Sequence, residues 1–194
     1  EEMLSHTFFM NYTEDFYDYY KSKLIYKEAK PNDAHLTLAK LEEMGKLKAV
    51  ITQNIDGLHQ KAGSKEVLEL HGSAYRNYCL QCNKFFTLDY VLESEGVPKC
   101  DSCGGIVKPD IVLYEESLDM EVMNKSIRYI KNAEVLIIAG TSLTVYPAAG
   151  LLRYFSGKHL VLINKTSTPY DEVANLVINE NIGETLKACL RDKR

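Results

Sequence analysis

The stretch AVITQNIDGLHQKAGSKEVLELHG, residues 49–72, decides how the rest of the chain is read. An apolar run, Ala49-Val50-Ile51, lies in a strand-like stretch from Lys48 to Thr52 and ends in Gln53, Asn54 and Asp56. A short helix around Leu58 to Lys61 follows. A second strand-like run, Glu66 to Leu70, ends in His71-Gly72. Each run thus delivers polar side chains at its C-terminal end: an amide and a carboxylate at the first, an imidazole at the second.

Outward from this stretch the same alternation continues. Upstream, PNDAHLTLAKLEEMG predicts a helix with Ala34, Leu38, Leu41 and Met44 on one face and Gly45 as its stop. Residues 1–26 are aromatic-rich and helical in pattern, with Thr13 as a cap and Glu14 and Asp15 in the first turn. Downstream, Asp119 to Asn132 reads as a helix. Val135 to Ala139 is a continuous apolar run, as expected of a strand buried on both faces. Gly140-Thr141-Ser142 follows, then a helix opening at Pro147. Leu160 to Ile163 reads as a strand ending in Asn164, Leu176 to Ile178 as a short last strand, and Gly183 to Leu190 as a closing helix. Strands alternating with helices predict an α/β fold, a Rossmann-like, doubly wound parallel sheet. In such sheets ligands bind beyond the C-terminal strand ends. Asn54, Asp56, His71, Gly140, Thr141, Ser142 and Asn164 all fall at such ends.

The chain has 194 residues, 45% hydrophobic and 26% charged, which suits a globular protein able to bury a core. Its formal net charge of -4 gives no bulk attraction to nucleic acid or anionic membrane, so neither is expected as a direct partner. The apolar runs are too short to span a bilayer. The acidic start, EEMLSHTFF, lacks the basic region of a signal peptide, so the expected location is cytoplasmic, with reduced thiols.

Residues 75–107 change character and read as an inserted module. Cys79-x-x-Cys82 and Cys100-x-x-Cys103 are spaced as two zinc-binding turns. Four thiolates would close a tetrahedral shell and leave no position for water, so the metal would be structural. Disulfides fit a reduced compartment poorly, and a redox pair would not need two motifs. Cys189 lies outside the spacing and reads as core.

Taken together, TQNIDGLH (52–59), LHG (70–72), CLQC, CDSC, KPDIVLYEE (108–116), GTSLTVYPAA (140–149) and VLIN (161–164) resemble the sirtuins, NAD-dependent protein-lysine deacylases. The motifs occur in the family's order over nearly all the chain. The resemblance implies a Rossmann-like NAD-binding domain from 31–74 and 108–194, and a small domain from 1–30 and 75–107 with a helical part and the zinc module. It implies that NAD is a consumed co-substrate, that one structural zinc is held, and that acetylated-lysine proteins or peptides are the partners.

The resemblance also assigns roles. His71 would be the general base, with Asn54 assisting catalysis. Asp56 would hold the nicotinamide carboxamide, Gln53 and Asn54 the ribose and water, and Ile55 would cover the ring. Gly140, Thr141, Ser142 and Asn164 would hold the adenosine half, with Asn181 and Ile182 beside adenine. Val112, Leu113 and Tyr114 would line the acyl-lysine tunnel, and 113–116, including Glu116, would clamp the peptide as an added strand. Tyr17-x-x-Tyr20 matches a place where succinyl-preferring sirtuins carry Tyr-x-x-Arg, so the pocket is expected to favour acetyl and other neutral groups, and Tyr20→Arg to favour succinyl.

Two departures stand out. Tyr114-Glu115-Glu116 replaces the frequent Phe-Gly-Glu, and the added charge suggests a preference for basic residues in the peptide. The family's first strand and its Gly-Ala-Gly-x-Ser loop are absent from these 194 residues. That absence keeps a second reading open, a catalytically impaired acyl-lysine or partner-binding protein. A third is protein ADP-ribosyl transfer by the same NAD chemistry.

Overall fold

The computed structural model describes residues 2–190. In chain order the elements are helices α1 (His6–Asn11), α2 (Thr13–Tyr19) and α3 (Asp33–Glu43), strand β1 (Val50–Thr52), helix α4 (Leu58–Lys61), strands β2 (Val67–Glu69), β3 (Gly72–Cys79) and β4 (Phe85–Phe86), helix α5 (Leu88–Glu93), strand β5 (Val107–Ile111), helix α6 (Met120–Asn132), strands β6 (Val135–Ala139), β7 (His159–Ile163) and β8 (Leu176–Ile178), and helix α7 (Ile182–Ala188). A 3-10 helix, Ala148–Tyr154, opens after Pro147. The chain forms two compact units. One holds the residues up to Ala29 with Gln53–Gly57 and His71–Leu118; the other holds Lys30–Thr52, Leu58–Leu70 and the residues from Asp119.

The second unit carries the parallel strands, in two groups. β1 pairs with β2, and β6, β7 and β8 form a sheet with β7 in the centre. Leu160, Leu162 and Ile163 of β7 are buried. Helices α3 and α7 cover this sheet through Ala34, Ile163 and Leu186. The α3 N-terminus forms because the Asn32 side chain accepts N–H bonds from Ala34 and His35, while His35 Nδ1 accepts from the Asn32 N–H. Asp119 caps α6 in the same way through Glu121 and Val122.

Four expectations are corrected. β6 forms, but it is not buried on both faces: Val135 is 49% and Ile137 40% exposed. It is an outer strand of its sheet, and a continuous apolar run looks alike in central and outer strands. Met44 is 53% exposed, because it is the C-cap residue and not part of the buried face of α3. Thr13 does not cap α2; its hydroxyl donates back to the Phe9 carbonyl at 2.8 Å, and Tyr12 takes the N-cap place. Cys189 is exposed, since α7 ends before it.

The first unit is built on an antiparallel sheet, order β4-β3-β5, covered by aromatic side chains of α1 and α2. Phe9 and Phe16 meet edge to face at 4.9 Å between ring centroids. β3 and β5 pair with a bulge. Ser73 faces Asp110 but Asn77 faces Pro109, so Ala74, Tyr75 and Arg76 loop out. Pro109 has no N–H to give the ladder, and a bulge is where a strand tolerates one. This pairing ties the chain after His71 to the zinc module. That is why 53–57, 71–74 and 108–118, which the sequence boundaries assign to the Rossmann-like part, lie within the first unit here.

Gly72 opens β3 with φ +75°, and a Cβ there would lie 1.9 Å from the Asp110 carbonyl oxygen. Gly72→Ala must therefore move β5 as well as strain its own backbone. A loss of about 3 kcal/mol or more is expected, read as a lowered denaturation midpoint. A wild-type midpoint would contradict the contact.

Candidate active site

The loop after β1 and the residues opening β3 run side by side. The Ala74 N–H donates to the Ile55 carbonyl at 3.0 Å, and His71 Nδ1 lies 3.0 Å from the Gln53 carbonyl oxygen. A carbonyl oxygen can only accept, so Nδ1 carries the hydrogen in this bond. In the neutral ring, Nε2 then holds the lone pair. One backbone contact therefore fixes both ring orientation and tautomer. The Val112 N–H donates to the His71 carbonyl at 3.0 Å, which ties the segment after β5 to the same histidine. Gln53, Ile55 and Asp56 are half-buried, and Asn54 is exposed.

In the second unit, the residues assigned to adenosine gather at the C-terminal ends of β6, β7 and β8. The Gly140 N–H donates to the Ile163 carbonyl at 3.1 Å, and that of Asn164 to Ile178 at 3.1 Å. Gly140 has φ +65°, and a Cβ on it would lie 2.8 Å from Ile182 Cδ1. A side chain at this position would displace the Ile182 methyl and strain the left-handed backbone. The hydroxyls of Ser142 and Thr144 are 2.7 Å apart, and Thr141 Oγ1 accepts from the Leu143 N–H. Asn181 serves as the N-cap of α7, its side chain accepting from the Glu184 N–H. Asn164 donates its side-chain amide to Thr166.

The four cysteines of the zinc motif converge, every Sγ lying within 4.8 Å of the others. Cys79 and Cys103 are 3.4 Å apart and Cys82 and Cys100 3.6 Å. Sulfurs at about 2.3 Å from a tetrahedral zinc would be about 3.8 Å apart, so the set fits. The Gln81 and Ser102 N–H groups point at Cys79 and Cys100 sulfur, each at 3.4 Å. Burial opposes ionisation of Cys79, but N–H donors from Cys82 and Gln81 outweigh it and bring the thiol down to about 6. The cysteines are placed to hold one structural zinc ion.

Residues 1–147 match the Sir2 family. The chain belongs to the Sir2 family. It is 66% identical over 193 residues to the NAD-dependent protein deacetylase of Clostridium tetani, a match covering 99% of this chain and 78% of that protein. Among solved structures it resembles a complex described as Sir2-p53 peptide-NAD+, with a TM-score of 0.90 at 42% identity over 96% of this chain and 80% of that one. It also resembles a Sir2 protein bound to a propionylated peptide, with a TM-score of 0.92 at 42% identity over 97% and 82%. Among the described residues, no helix of this sirtuin is long and apolar enough to cross a membrane.

The acyl-lysine residues of the sirtuin reading lie in the first unit. Val112 is half-buried, Leu113 belongs to the aromatic core and Tyr114 is exposed. Glu116 closes a turn onto Leu113: its N–H donates to the Leu113 carbonyl, and its carboxylate accepts from the Leu113 N–H at 2.9 Å. Tyr17 and Tyr20 are both 0% exposed, packed among Phe9 and Phe16. The Tyr17 hydroxyl donates to the Val107 carbonyl, while that of Tyr20 has no partner among the described residues. Burial pushes both phenols far above their ordinary range.

That burial weighs against a gain from Tyr20→Arg. A guanidinium at Tyr20 would enter an aromatic core without a carboxylate partner. We expect a loss of about 3–5 kcal/mol in stability and no gain on succinyl-lysine. Equal stability with raised succinyl turnover would reverse this. The sequence also gave no sign of the Thr7 and His6 contacts to Glu115 and Glu116, which span more than a hundred residues of chain.

Proposed function

We propose that this sirtuin removes acetyl groups from protein lysines with NAD, giving nicotinamide, O-acetyl-ADP-ribose and free lysine. The observation that carries the reading is the His71–Gln53 contact, which leaves Nε2 as a base. In this reading the acyl carbonyl oxygen attacks C1′ of the nicotinamide ribose, the nicotinamide bond breaks, and His71 Nε2 takes a proton from a ribose hydroxyl. Asp56 holds the carboxamide of nicotinamide, Gln53 and Asn54 position ribose and water, and Ile55 covers the ring. Gly140, Thr141, Ser142 and Asn164 take the adenosine half, with Asn181 and Ile182 beside adenine. Val112, Leu113 and Tyr114 line the path of the acyl-lysine, and Glu116 orders that segment. The partners are acetylated-lysine proteins or peptides, and the compartment is the cytoplasm, where the cysteines stay reduced.

The pocket is assigned to neutral acyl groups. Among the described residues three cations lie over rings of the aromatic core, and each is committed; Lys84 Nζ, 5.5 Å from the Phe86 ring centroid, donates to Asp101 and Ser102. Lys21 Nζ donates to the Ser94 and Gly96 carbonyls, and Lys108 Nζ to the Ile111 carbonyl and Glu116. A succinyl carboxylate would meet these cations already bonded and would lose its hydration. We expect kcat/KM for acetyl-lysine to exceed that for succinyl-lysine in matched peptides; a higher value for succinyl would refute the assignment. The function itself is tested by mixing protein, NAD and an acetylated peptide. Nicotinamide release that depends on the acetyl group supports it. Radiolabel from NAD retained on protein would favour ADP-ribosyl transfer, and no release would favour a binding protein.

A further inference from the structure

Glu115 has φ +76°, in the left-handed region that side chains other than glycine rarely occupy. Its carboxylate turns onto the start of α1. Oε2 accepts from the Thr7 N–H at 2.9 Å and from the Thr7 hydroxyl at 2.7 Å. Those bonds hold the carboxyl below its ordinary range. The charge therefore persists and is held at one place, beside the start of α1.

Thr7 lies in the first turn of α1, where amides lack helical partners. Each of them is satisfied. The Ser5 N–H donates to Glu2, His6 to the Tyr114 carbonyl at 2.9 Å, Thr7 to Glu115, and Phe8 to the Ser5 side chain. The Tyr114 N–H in turn donates to Leu4 at 2.9 Å. Beside it, His6 Nδ1 lies 2.9 Å from Glu116 Oε1, and Lys108 binds the other oxygen at 3.1 Å. The start of α1 and residues 114–116 thus cap each other. Tyr114 spends both backbone groups on the α1 side.

We propose that Glu115 and Thr7 form a latch that positions the peptide-binding segment, making Glu115 a positioning residue for substrate. This rests on the deacetylase reading. The latch fixes an otherwise unfavourable backbone in advance, so the incoming peptide does not bear the cost of ordering it.

The test uses the intact protein with Thr7→Val, Thr7→Ser, Glu115→Gly and the Thr7→Val/Glu115→Gly double variant. An acetyl-lysine peptide is titrated calorimetrically, and KM is measured for peptide and for NAD. Thr7→Val and Glu115→Gly should each raise peptide Kd and KM about five- to tenfold. KM for NAD should stay unchanged, and kcat of Thr7→Val should remain within about twofold. Thr7→Ser keeps the hydroxyl and should bind like wild type. The double variant should bind no worse than the weaker-binding single, since Glu115→Gly already removes the hydroxyl bond that Thr7→Val deletes. If wild type turns over but the singles bind peptide as wild type does, the latch is overturned, even if their thermal midpoints fall. If wild type neither binds peptide nor releases nicotinamide, the deacetylase reading fails, and the latch fails with it.

Discussion

His71→Ala should lower kcat by about 10²–10⁴-fold, the usual loss when a general base is removed, while NAD affinity stays close to wild type. The reason is local. Nδ1 is held by the Gln53 carbonyl, so the side chain is aimed by one backbone bond and its Nε2 is left for chemistry. Alanine deletes the base and leaves the backbone bond from Val112 to the His71 carbonyl in place. The fold should persist, since the ring is only half-buried. Steady-state rates with a denaturation curve check both halves. Wild-type kcat in a folded His71→Ala protein would remove the histidine from the mechanism.

Loss of zinc should have the second large effect, acting on structure and not on chemistry. Cys79→Ala or Cys103→Ala leaves three thiolates and an incomplete shell, and metal binding to such sets contributes on the order of 10 kcal/mol to folding. Cys79 ends β3 and Cys100 is buried in the same core as Phe86 and Val107. Unfolding there should therefore spread into the sheet that begins at Gly72, next to His71. Stoichiometric zinc by metal analysis, and loss of both zinc and turnover in the variants or with a strong chelator, are expected. Full activity in a metal-free sample would contradict this.

Much of this was legible in the sequence, for identifiable reasons. The strand–helix–strand reading of 49–72 holds because apolar runs and Asn/Asp/Gly turns are local signals. The cysteine spacing foretold a cluster because two C-x-x-C turns can hardly serve another purpose in that arrangement. The strand ends that gather Gly140 and Asn164 followed from the parallel topology. What escaped was set by distant partners. The exposure of Val135 and Ile137 depends on where β6 stands in its sheet, which the run itself does not encode. The burial of Tyr17 and Tyr20 depends on β5 lying over them, since Tyr17 bonds to Val107 ninety residues on. The left-handed Glu115 looked like a simple added charge until Thr7 was found beside it.

If the acetyl group leaves lysine by joining ADP-ribose, the products themselves reveal it. The protein is incubated with NAD and an acetyl-lysine peptide, and the products are followed by mass spectrometry. Nicotinamide, deacetylated peptide and O-acetyl-ADP-ribose are expected in equal amounts. Free acetate as the first product, or deacetylation that proceeds without NAD, would contradict it.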